Sequence, residues 1–279
     1  MSKREELQHH RRSLNEIREI MNSMKTLAFM ETRKLTRFLG TQQAMVRSIE
    51  ATAADFLSFH PEILPDIPET NKIFLLIGSE HGFCGDFNQS LLRHLETTLQ
   101  TQPQKEALVI AVGHKLHTII ENRTNGVTLI DGASVTEEVM SILNPIVDTL
   151  SDLQEQHGML SLHGLYHGKD GAIVIEKLLP SFQHFVHDRS DFSHPPELNL
   201  AAEEFLLNLT EQYLFAALLE IIYTSMMAEN RSRIAHLEGA VKHLDDKSEE
   251  LARQSNVLRQ EEIINEIEVI LLNNSNAIQ

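Results

Sequence analysis

His114 and His117 stand three residues apart, a spacing that can bring two imidazoles together on one helical turn, and His81 stands three residues before the single cysteine, Cys84. The first pair could hold a metal through neutral ring nitrogens; the second could join a thiolate nucleophile to its base. Neither set is complete. No third or fourth ligand lies near residues 114 and 117, and no acid that would orient His81 is identifiable. His163 and His167, on a strand-like run, would lie roughly 13 Å apart at about 3.3 Å per residue. The fifteen histidines are therefore expected to be solvated, and no catalytic residue, metal or cofactor is expected.

Gly78, Gly82 and Gly85 offer a third kind of chemistry, because glycine turns between a strand and a helix can cradle phosphates. Their spacing is GxxxGxxG, not the GxGxxG of dinucleotide sites, and no GxxxxGK[ST] loop occurs in the chain. The expected role is a tight turn that needs glycine for its backbone conformation.

The elements that must position these residues are announced by where the helix breakers lie. All eight prolines and ten of the twelve glycines fall between residues 61 and 196, leaving two flanks interrupted only by Gly40 and Gly239. Proline costs about 3 kcal/mol and glycine about 1 kcal/mol inside a helix, so both flanks permit very long helices. Three domains are expected: an N-terminal helix over 1–60, a central domain over 61–196 and a C-terminal helix over 197–279. In the first flank Leu14, Ile17, Met21, Met24, Ala28, Leu35 and Phe38 keep a 3,4 spacing broken by Glu31, which is expected to be a hydrated defect. In the last, Leu237, Val241, Leu244, Leu251 and Leu258 keep the same spacing, with Ser248 and Ser255 as small gaps. Beyond them the apolar residues within Ile263 to Leu272, among them Ile263, Ile264, Ile267, Ile270 and Leu271, are expected either to fold back onto the chain or to be covered by another protein.

Residues 1–60 carry ten basic and seven acidic side chains, and 197–279 carry six basic and fifteen acidic ones. These opposite charges favour pairing of the flanks as an intramolecular antiparallel coiled coil. In the centre, residues 72–78 (KIFLLIG), 107–113 (ALVIAVG) and 126–130 (GVTLI) are short apolar runs between helix-compatible stretches, the pattern of a buried parallel sheet. Residues 161–166 and 172–179 add an edge hairpin, and Pro195-Pro196 mark the entry to the last helix. The fold class is α/β: a Rossmann-like central domain with long terminal helices.

The net charge of −16 and the absence of a basic stripe argue against nucleic acid. A single cysteine fits a reducing compartment. No membrane span or secretory signal is expected, since no run approaches eighteen uncharged apolar residues.

The turn Gly82-Phe-Cys-Gly85-Asp86-Phe-Asn88 together with the long terminal helices resembles the gamma subunit of F-type ATP synthases. Ile20, Met24, Ala28, Arg33 and Lys34 stand where that family has its first-helix pattern. Ser225, Met226, Glu229, Asn230 and Arg233 look like its SMxxENxxR signature, and Arg259, Gln260 and Ile263 resemble its RQxxI segment. Phe29, Met30, Glu31, Ser23 and Ile264 depart from it, marking a divergent member. The resemblance implies a non-catalytic central-stalk rotor that transmits torque between a membrane c ring and catalytic β subunits. Its implied partners are the α and β subunits, the epsilon subunit and the c ring, with membrane association only through the complex, on the cytoplasmic face of a bacterial inner membrane. By the same resemblance Met24 and Arg233 would face a moving β segment, and Arg259 and Gln260 a β loop. Met24 could instead be plain core, and Arg233 a partner of Glu229 or Glu238. A coiled-coil adaptor without rotary role is the alternative.

Overall fold

The computed structural model describes residues 3–64, 71–101, 107–121, 126–183, 185 and 194–276. Among the described residues the α-helices and strands follow one another as α1 (Lys3–Phe59), β1 (Asn71–Ile77), α2 (Phe87–Thr101), β2 (Leu108–Val112), α3 (His114–Ile120), β3 (Val127–Ile130), α4 (Val139–His157), β4 (Leu160–His167), β5 (Ile173–Leu179) and α5 (Ala202–Asn276). The flanks are single helices of 57 and 75 residues, as the placing of proline and glycine allows.

The chain packs as two units, Phe29–Arg233 and a second formed by Met1–Ala28 with Ile234–Gln279. α1 ends at Phe59 and α5 begins at Ala202, while packing divides inside both helices. The cause lies in which parts of the helices bury side chains on the sheet: Leu35 to Leu57 of α1 and Leu206 to Met227 of α5 belong to its core.

In the larger unit the sheet runs in the order β3-β2-β1-β4-β5, with β1 parallel to β2 and β4, and β2 parallel to β3. The β4–β5 hairpin closes the edge in antiparallel pairing. Alternation along β1 feeds two cores: Ile73, Leu75 and Ile77 pack with α1, α4 and α5, while Phe74 and Leu76 pack with α2 and α3. A central strand buried on both faces explains why this run reads as continuously apolar.

Two first-helix expectations need correction. Phe38 is 49% exposed, its ring stacked on Tyr223 with centroids 5.9 Å apart. The buried positions after Leu35 are Leu39, Val46, Ala53, Phe56 and Leu57, a stripe offset by one residue from the one that runs through Phe38. Glu31 is not a hydrated defect. Its carboxylate accepts from the Thr136 amide at 3.2 Å, the Thr136 hydroxyl at 2.9 Å and the Lys34 ammonium at 2.9 Å. Burial alone would raise its pKa, but these donors outweigh burial and hold it below the usual carboxylate value.

The smaller unit is an antiparallel helix pair. Arg4 meets Glu262 at 2.9 Å, Arg18 meets Asp245 at 3.2 Å and Lys25 meets Glu238 at 3.9 Å. Each step up α1 thus matches a step down α5. Leu237 and Leu251 are buried between the helices, with Val241, Leu244, Ser248, Ser255 and Leu258 half-buried along the same stripe. Past Glu262, Ile263, Ile264, Ile267, Ile270 and Leu271 are exposed, while the side chain of Leu272 lies outside the described residues. One eighteen-residue stretch of α5 has a mean hydropathy of 1.4 and is 44% buried, apolar enough to cross a membrane by length and composition. A core helix of a folded domain reaches the same value.

Candidate functional site

The loop from Gly78 to Asp86 leaves the C-terminal end of β1, beside β4, where the strand order reverses and α/β sheets commonly bind ligands. Here the loop is tied down by α5. Ser225 donates its hydroxyl to the Ile77 carbonyl at 3.0 Å, and Ser232 donates to the Cys84 carbonyl at 2.8 Å. Arg233 donates from Nε to the Gly82 carbonyl at 3.2 Å and from Nη1 to Asn230 Oδ1 at 2.9 Å. Its Nη2 reaches the Glu229 carboxylate and lies 3.4 Å from Cys84 Sγ. Glu229 also accepts from the His81 amide at 3.4 Å.

The signature residues Ser225, Glu229, Asn230 and Arg233 are therefore all buried in the chain's own interior. Arg233, expected at a partner surface, is a correction: it is buried, and its donors are spent on Glu229, Asn230 and the glycine loop. Burial raises the Glu229 carboxyl, and the Arg233 charge and the loop amides work against that rise. Within the loop, the Ser79 amide donates to Asn88 Oδ1 and Asn88 Nδ2 donates to Ser79 Oγ, both at 2.9 Å.

Glycine is required here for two separate reasons. Gly85 has φ 61°, in the left-handed region, whereas a β-carbon on Gly78 would come within 2.5 Å of Leu116 Cβ. Phe83 also adopts φ 63° while its ring is 45% exposed, a strained aromatic at the loop surface held there by the bonds on either side. The adjoining cavity, lined by Ser79, Phe83, Asn88, Lys115 and Ile119 among others, measures about 220 Å³. That falls below the roughly 300–1,000 Å³ of ordinary ligand pockets.

Cys84 is buried, and burial pushes its thiol up to about 11, so it stays protonated at neutral pH. It donates toward the His81 and Gly82 carbonyls instead of serving His81 as a nucleophile. The expectation of solvated histidines fails at two positions. His167 is buried with its ring stacked on Phe87 at 3.9 Å, and His117 is buried against the Ala111 carbonyl at 3.0 Å.

In the helix pair, Met24 is half-buried on the stripe that faces α5, and Arg259 and Gln260 are exposed. The Arg259-Gln260 segment thus presents polar side chains just before the exposed apolar end of α5.

A family model described as ATP synthase matches residues 3–272. This chain belongs to the ATP synthase gamma family. It is 23% identical over 267 residues to the ATP synthase gamma chain of Clostridium botulinum, covering 93% of both chains. It is 22% identical over 274 residues to that of Clostridium perfringens, covering 95% of both. In fold it resembles a chain of the Euglena gracilis mitochondrial ATP synthase rotor, with TM-score 0.69 and 13% identity, over 93% of this chain and 98% of that one. A chain of the Euglena assembly of OSCP, F1 and c-ring aligns with TM-score 0.63 and 15% identity, over 96% of this chain and 92% of that one. For an ATP synthase gamma chain the signature in α5 therefore has a local structural meaning: it is the clamp on the glycine loop. Sequence spacing could not expose this, because Arg233 and Gly82 are 151 residues apart.

Proposed function

We propose that this chain is the central rotor of an F-type ATP synthase and performs no chemistry of its own. The observation that carries the proposal is the antiparallel pair of α1 and α5, joined by cross-helix ion pairs and a shared apolar stripe, in a chain of the gamma family. Torque transmission needs a stiff and asymmetric lever. It must contact each catalytic subunit differently, since only contacts that differ between states can shift nucleotide affinities. Two helices of unequal length meet that need, and the exposed isoleucines from Ile263 to Ile270 would be covered inside a collar of alternating α and β subunits.

In this reading Met24, Arg259 and Gln260 contact β subunits. Arg233 acts indirectly, by fixing the glycine loop. The sheet-bearing unit docks with the epsilon subunit on the c ring, and the protein is peripheral on the cytoplasmic face of a bacterial inner membrane. The bacterial gamma chains among its relatives support that placement.

The test is co-expression with the α and β subunits of its own genome, followed by purification and an ATP hydrolysis assay with and without this chain. One copy per complex and hydrolysis that depends on it are expected. Competent α and β subunits that assemble with another gamma chain but never with this one would overturn the proposal and favour a coiled-coil adaptor.

A further inference from the structure

The sheet supplies what the sequence around His114 and His117 lacked. β2 and β3 are parallel neighbours, and the Gly113 amide donates to the Ile130 carbonyl at 2.9 Å, so His114, which opens α3 just after Gly113, and Asp131, which follows β3, emerge near one another. One ligand atom from each of His114, His117 and Asp131 lies within 4.8 Å of the others. Two imidazoles from the first turn of α3 and one carboxylate from just after β3 form a recurrent donor set for borderline divalent metals.

Two further features organise this set. The His117 ring is buried and its Nε2 lies 3.0 Å from the Ala111 carbonyl. A carbonyl can only accept, so Nε2 carries the proton and Nδ1 is left with its lone pair. This is the tautomer-fixing support that metal-bound histidines characteristically have. Glu80, from the loop after β1, accepts from the His114 amide at 2.9 Å and from the Gly132 amide at 2.8 Å. The backbone carrying His114 and that adjoining Asp131 are thereby fastened to one carboxylate. Glu80 also adds negative charge beside the three donors.

We propose that His114, His117 and Asp131 bind one Zn²⁺ ion, with water completing the shell. A tetrahedral shell with bonds of about 2.1 Å brings ligand atoms to about 3.4 Å from one another. Binding requires the present spread to close to that value, through rotation of the two exposed side chains, His114 and Asp131, toward His117. The site is independent of the rotor reading, which neither requires a metal nor predicts one.

The test is equilibrium dialysis of the full, untagged chain against Zn²⁺, compared with the double variant His114→Ala, Asp131→Asn. Both altered side chains are exposed, so far-UV circular dichroism and melting without metal are expected to match the wild type. The comparison removes binding by the other histidines, which both proteins share. The expected result is one fewer tightly bound Zn²⁺ per chain in the variant, or at least a tenfold weaker tightest site, together with loss of the visible absorption that tetrahedral Co²⁺ gives the wild type. Equal stoichiometry and affinity in the two proteins would overturn the proposal. If the double variant melts lower without metal, Asp131→Asn alone carries the same comparison and the same two outcomes.

Discussion

Arg233 and Glu229, one turn apart on α5, form an ion pair whose side chains are only 8% and 7% exposed, and this pair grips the backbone of the loop that follows β1. A buried pair of this kind gives stability only while both members are present, since removing one leaves an uncompensated charge in the interior. Arg233→Ala is expected to destabilise the Phe29–Arg233 unit by about 3 to 5 kcal/mol. Arg233→Met with Glu229→Leu should recover much of that loss. Chemical denaturation of the three proteins checks this, and an unchanged midpoint for Arg233→Ala would show that the pair does not hold the loop.

Glu31 joins α1 to the turn before α4 through Thr136. Glu31→Gln should cost about 1 to 2 kcal/mol at neutral pH, the value of charge-assisted hydrogen bonds to a partly exposed carboxylate. Because the folded pKa is lowered, this contribution is present above the ordinary value of 4.5 and is lost as pH falls through the folded value. Melting curves should therefore show a wild-type advantage at pH 7 that narrows below about pH 4.5.

His163 titrates in the opposite chemical sense but with the same consequence on acidification. Burial first, then Lys72 and Lys177, depresses its pKa from 6.5 to about 4. The unfolded chain binds the extra proton between those values, so stability falls as pH drops from about 6.5 to 4. His163→Gln should flatten that part of the stability profile while leaving the wild-type slope above pH 7 unchanged. An identical slope in both proteins across the window would rule His163 out as its source.

The five strands and the two long helices were legible because each rests on a local pattern: apolar runs bounded by glycine for β1 to β3, and uninterrupted helix formers in the flanks. The stripe from Leu237 to Leu258 was legible for the same reason, since in a helix pair the 3,4 spacing persists. Phe38 was misplaced because the buried stripe of α1 shifts by one residue, to Leu39, after Leu35. The hold of Arg233 on Gly82 and of Glu31 on Thr136 was invisible because these partners are brought near only by the tertiary fold. A parallel β2–β3 pairing, once drawn, would have set Asp131 beside Gly113, the residue before His114. No comparable signal in the sequence would have led to Thr136.

Arg259 and Gln260 are both exposed, so replacing them with alanine should leave the melting temperature of the free chain unchanged. In the reconstituted complex, Arg259→Ala with Gln260→Ala should lower ATP-driven turnover several-fold. Full turnover together with unaltered assembly would remove these residues from the contact with β.

Rotation itself can be observed directly. Met159, 56% exposed before β4, can be replaced by cysteine and biotinylated to carry a bead, since Cys84 is buried and its thiol protonated. With the α and β subunits fixed to glass and ATP supplied, the bead is expected to turn in one direction, in steps that slow as ATP becomes limiting. Sustained ATP hydrolysis by the assembled complex with a stationary bead would contradict a rotor.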